Sequence, residues 1–127
     1  MSNGPGRKTK HHRRPKSLGG KRTKENTSIV PRREHAAWHK LFDNYSAQFI
    51  LEKLKVYLVI FSAAATEGEL AGTGTVSKQR LAWEILFRDK NVEEILELIN
   101  SVWLDPDCEF VIISSGALRC TRRLKKK

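Results

Sequence analysis

Two stretches of this 127-residue chain match at a constant offset of 45 positions, with no gap. Ala37-Trp38-x-x-Leu41-Phe42 corresponds to Ala82-Trp83-x-x-Leu86-Phe87, and Ile50-Leu51-Glu52 corresponds to Ile95-Leu96-Glu97. An internal repeat reveals architecture before local propensity does. The unit, residues 36–54 and again 81–99, reads as a helical hairpin with Trp and Phe on one face. Two unrelated amphipathic helix pairs can look alike, because Leu, Ile and Glu are common. Duplication is favoured because two Trp and two Phe align ungapped. His35 and His39 of the first copy become Arg80 and Glu84 in the second, which therefore reads as a packing element.

The rest of the chain falls into place around that pair. Residues 1–6 read as disordered. A short basic strand ends at His11-His12, Pro15 and Gly19-Gly20 mark a loop, and Thr27–Val30 is strand-like, so the flanks can pair as a hairpin. Pro31 opens a helix that Asn44 can end. Ser46 caps a second helix toward Phe61. Residues 62–77 read as a connecting loop, 78–87 as a third helix. Asn91 and Glu94 form a capping box for a fourth, which Asp105-Pro106-Asp107 breaks. Phe110–Ile113 is a short strand, and 119–127 a basic tail. The apolar run Val56–Ala65 is about half a bilayer span and suits a buried helix better. Trp38 and Trp83 lie on apolar helical faces and read as core residues rather than base-stacking platforms, with Trp103 read as packed too. The fold class expected is α+β, in units of 7–45 and 46–118.

Formal net charge is +10, and its placement says more than its size. Residues 1–40 carry net +10, residues 41–118 net −6, and residues 119–127 add six basic groups and no acidic one. A basic head points to a polyanionic partner. Cys108 and Cys120 have no metal-ligand spacing and suit a reduced, intracellular chain. The N-terminus has no apolar core like a signal peptide's, so a cytoplasmic location is expected and a membrane is not.

All four histidines, His11, His12, His35 and His39, fall within residues 11–39. His35 and His39 are four apart on a helix and share one face, so they can bind one ion. Neighbours on a strand diverge, so one of His11 and His12 can face metal while the other faces substrate. The run His11-His12-Arg13-Arg14-Pro15-Lys16-Ser17-Leu18-Gly19-Gly20…Asn26…Val30-Pro31…His35…His39 resembles the HNH, or ββα-metal, nucleases. In pattern it is closest to the DNase domains of nuclease colicins. The resemblance covers residues 8–42, about a third of the chain, and lacks the zinc-ribbon cysteine pairs of many HNH proteins.

The resemblance implies that the N-terminal unit is a ββα-metal fold followed by helical hairpins and a short C-terminal strand. It implies His11, His35 and His39 as metal ligands and His12 as the general base. Asn26 would hold the loop and orient the His12 ring through a backbone contact. Three neutral imidazoles leave a fourth position open, and they suit Zn or another transition metal better than Mg. Arg13, Arg14, Lys16, Lys21, Arg22 and Lys24 surround the motif and read as phosphate contacts, or else as a solvated loop. The expected function is metal-dependent endonuclease action on DNA, ahead of RNA. The alternatives are a non-catalytic nucleic-acid binder on the same metal-stapled fold, and a protein-interaction module built on the repeated helices. Glu93, Glu94 and Glu97 are assigned no catalytic role.

Overall fold

The computed structural model describes residues 7–61 and 74–122, with side chains described for 7–61 and 78–122. The disorder expected at 1–6, most of the loop expected at 62–77, and residues 123–127 lie outside them. The architecture is mixed α+β, with four helices and two antiparallel two-stranded sheets among the described residues.

β1 (Lys8–His12) pairs with β2 (Thr27–Pro31), with His12 opposite Thr27 and Thr9 opposite Val30. The loop between them contains one 3-10 turn, Lys16–Leu18. Its two glycines are needed for different reasons. Gly19 adopts a left-handed φ of 87°, which a side chain disfavours. Gly20 lies so close to the main chain that a Cβ would sit 1.7 Å from the Arg14 carbonyl oxygen.

Pro31 ends β2 and caps α1 (Arg32–Phe42) rather than entering it, so the helix starts one residue later than the sequence reading placed it. The helix ends at Asp43, not Asn44: Asp43 takes φ 44° and its N–H donates to the His39 carbonyl at 2.9 Å. Ser46 caps α2 (Ala47–Ile60) by accepting from Phe49 N–H. The Val56–Ile60 run is helical, yet Val56 and Val59 are exposed, so it is only partly a buried segment. α3 (Gly74–Phe87) begins inside the stretch read as loop. Gly74 and β-branched Thr75 and Val76 have weak helix propensity, which hid its first turn.

Asn91 and Glu94 close a reciprocal capping box on α4 (Val92–Leu98). The chain then widens into a π-helical turn, Ile99–Trp103, where Leu104 N–H reaches back to the Ile99 carbonyl at 2.8 Å. β3 (Cys108–Ile112) pairs with β4 (Leu118–Arg122), with Phe110 opposite Cys120. Residues 119–122, read as the start of a basic tail, are therefore strand.

The repeat is visible in the packing. Ala37, Trp38, Leu41, Phe42, Ile50, Leu51 and Leu54 are buried, and so are their counterparts Ala82, Trp83, Leu86, Phe87, Ile95, Leu96 and Ile99. Both copies belong to one continuous core that also takes in Val30 of the hairpin and Phe110 of the second sheet. Trp38 and Trp103 stack at its centre, with centroids 5.0 Å apart and planes 12° apart. Trp103→Ala should lower unfolding stability by about 3–5 kcal/mol, the usual cost of deleting a buried indole. Urea denaturation at fixed pH reads this directly, and a loss below about 1 kcal/mol would show the stack to be peripheral.

Candidate metal centre

Alternation along β1 sends Thr9 and His11 to the same face, toward α1. One helical turn brings His35 and His39 level on that side of α1. The three histidine rings meet with centroid separations of 5.3 Å (His11–His35), 5.8 Å (His11–His39) and 4.8 Å (His35–His39). One ring nitrogen of each lies within 4.8 Å of the other two, so the three can hold a metal ion.

The outer nitrogen of each ring is already engaged, and its partner assigns the tautomer. His11 Nε2 lies 2.9 Å from the Trp103 carbonyl, which only accepts, so Nε2 carries the hydrogen. Its Nδ1 lone pair is buried and has no hydrogen-bond partner. His39 Nδ1 donates to the Asp43 carbonyl at 3.1 Å. His35 Nδ1 lies 2.8 Å from Thr9 Oγ1, and that hydroxyl donates onward to the Val30 carbonyl at 3.3 Å. His35 therefore donates through Nδ1. The Nε2 atoms of His35 and His39, both left as lone pairs, face each other at 3.0 Å.

Two lone pairs at that distance repel unless a cation lies between them. Metal–nitrogen bonds of about 2.0–2.1 Å at tetrahedral angles put ligand nitrogens about 3.3 Å apart, close to the spacing of the His35–His39 pair, in a set whose nitrogens all lie within 4.8 Å. Holding each ligand's outer N–H with a carbonyl or hydroxyl is how proteins orient imidazoles toward a metal. Burial pushes His11 down to about 4, helped by His35, His39 and Arg13 and opposed by its bond to Trp103. His35 is lowered too, by burial first, then by His39 and His12. Both are thus in the neutral form that ligates metal.

His35 and His39 line an open cleft of about 410 Å³ with Lys10, His12, Pro15, Lys16, Ser17 and Asn44. His11 lies behind them, against the indoles of Trp38 and Trp103. His12 diverges from His11 and lines this cleft, with its Nε2 buried and without a hydrogen-bond partner. Asn26 is buried and ties the loop: its side chain accepts from Arg14 N–H at 2.7 Å and donates to the Arg14 and Lys21 carbonyls. The His12 ring is not among those side-chain partners, and the Asn26 backbone carbonyl accepts from Arg13 N–H at 2.8 Å.

The six basic residues separate into different settings. Arg13 donates to the Leu104 carbonyl at 2.7 Å and the Asn100 carbonyl at 2.6 Å. Arg14 pairs with Asp105 at 2.6 Å, which raises its pKa further. Both guanidiniums are committed to the helical body. Lys16 lines the cleft, whereas Lys21 borders a depression that also holds Asp105 and Asp107. Arg22 and Lys24 are exposed on the loop.

Lys10, Thr9, Asp43 and the Trp103 carbonyl were missed by sequence reasoning. Thr9 was within reach, two residues before His11 on the same strand face. Nothing in the sequence marks which carbonyls will meet the other two rings.

Thr9→Val should keep the fold while weakening zinc binding by about 10- to 100-fold, the usual scale for losing such an outer partner. Competition against a chromophoric chelator measures it, and unchanged affinity would remove Thr9 from the site. In metal-free protein, His11 resists protonation when folded (about 4) but accepts it near 6.5 when unfolded. The stability it contributes is therefore complete above pH 6.5, falls as pH drops, and is lost by about pH 4. The fall is about 3 kcal/mol for that shift. Urea midpoints of the chelated protein across this range should decline, and less so in His11→Asn.

No protein-family model matches the chain, and comparison with curated proteins and with solved structures gives no significant match for either.

Proposed function

We propose that β1, β2 and α1 form an HNH-type ββα-metal unit, and that the protein is a metal-dependent endonuclease acting on DNA ahead of RNA. The observation that carries this reading is the convergence of three inward lone pairs, on His11, His35 and His39, at an open cleft that His12 also lines. The resemblance of residues 8–42 to the HNH nucleases supports the same assignment of roles.

Lys10 and Lys16, at the cleft wall, attract a phosphate backbone and place it over His35 and His39. Such contacts give affinity that falls with salt and carries no base sequence. A divalent ion held by the three imidazoles, zinc or another transition metal before magnesium, would offset charge on the scissile phosphate and the leaving oxygen. His12 lines the same cleft, and in this reading its imidazole takes the proton of an attacking water.

A non-catalytic binder on the same scaffold is favoured by one observation: the His12 Nε2 is buried and has no hydrogen-bond partner. His12 separates the two readings, because a binding module has no need of it. Plasmid cleavage measured with Mg, Mn, Ni and Zn should give activity that His12→Ala reduces by about 10²-fold or more, with metal content unchanged. Absence of cleavage by the unmutated protein with every metal, while salt-sensitive DNA binding persists, would replace the nuclease with the binder.

A further inference from the structure

α1 carries two opposed functional faces. At about 100° per residue, Arg33, Ala36, Ala37 and Lys40 lie on the side of the helix away from His35 and His39. There α1 and α3 enclose a groove of about 240 Å³, lined by Arg33, Ala36, Ala37 and Lys40 on one wall and Lys78, Leu81, Ala82 and Ile85 on the other. The walls correspond residue for residue at the repeat offset of 45, so the groove lies where the two copies of the unit meet.

Its chemistry is lopsided. The floor is alanine, leucine and isoleucine, and Leu81 is 61% exposed there. The rim carries three cations and no carboxylate. Arg33, Lys40 and Lys78 enter none of the ion pairs among the described residues. Seven residue steps along each wall give a trough of about 10 Å, two helical turns long. A second copy docked groove to groove would set like charges against each other across the rim. A nucleic acid would find no hydrogen-bonding group on the floor. What fits is a helix with apolar residues on one face and carboxylates beside them, the helix-in-groove mode of recognition.

We propose that the α1–α3 groove is a docking site for an acidic amphipathic helix of a partner protein. Docking there leaves the histidine cleft open, because the groove occupies the far side of α1. The proposal does not depend on the nuclease reading.

The probe is a synthetic helical peptide with leucines at i, i+3, i+4 and i+7 and glutamates elsewhere, titrated into the full chain and followed by methyl NMR. The Leu81 and Ile85 methyls should shift, and a lysine-for-glutamate version of the peptide should leave them unmoved. Leu81→Asp should weaken binding at least about 10-fold. The Arg33→Glu/Lys40→Glu pair should do the same and serves alone if the Leu81 variant does not fold. Lys21→Glu/Lys24→Glu, on the distant loop, should change binding less than about twofold.

An equal loss in the loop variant would reduce the effect to general attraction by a basic protein and overturn the proposal. So would a titration that leaves Leu81 and Ile85 unmoved. Nuclear Overhauser contacts from Leu81 to residues 62–73 in the free protein would make the occupant the chain itself. Concentration-dependent shifts of the same methyls without peptide would make it a second copy. Shifts of these methyls by duplex DNA in place of the peptide would make it nucleic acid. Each of these three also overturns it.

Discussion

The last turn of any helix leaves carbonyl groups with no partner in the helix. In this protein those of the fourth helix and its π turn are where the N-terminal hairpin is fastened. Asn100 and Leu104 accept from Arg13, Val102 from Ser28 Oγ at 2.6 Å, and Trp103 from His11. The negative end of the helix dipole suits the guanidinium of Arg13. A two-stranded hairpin is marginal in water by itself. This one is held by side chains reaching a helix about ninety residues away in sequence, and by the Trp38–Trp103 stack under them.

That fastening reaches the histidines directly. The carbonyl that docks the hairpin also fixes the tautomer of His11, and with it which nitrogen points at His35 and His39. The geometry of the cluster is therefore a property of the whole chain. Residues 8–42 supply the ring nitrogens, but the helical body decides how one of them is turned. Here, Cys108 and Cys120 are free, and Cys108 is pushed up to about 11 mainly by burial, so it stays a protonated thiol.

Much of this was legible in the sequence, and the reasons are local. Histidine spacing on a strand and a helix predicts which rings can meet, because both periods are fixed by backbone geometry. The ungapped repeat predicts equal burial in the two copies. The Gly19-Gly20 step marks a backbone that turns left and then passes against Arg14. What escaped was tertiary. A basic segment, Leu118–Arg122, puts half-buried Leu118 and Cys120 on one strand face with exposed Arg119 between them, yet its charge outweighed that period of two. Arg13 and Arg14 sit in a motif that suggests phosphate, and only the fold shows them spent on carbonyls and on Asp105. No residue preference announces that a helix will end in a π turn.

The π turn acts as a length gauge between two rigid parts. With Leu104 N–H bonded to Ile99 rather than to Asn100, this stretch holds one residue more than an α-helix would place there. Inserting one residue more into 99–103 would exceed what the widened turn absorbs and rotate everything after it by about a quarter turn or more. The carbonyl facing His11 would then belong to a different residue, and the indole beneath it would swing off its neighbour. Conservative substitutions within the segment leave that spacing alone, so a change in its length threatens the cluster more than most changes of side chain.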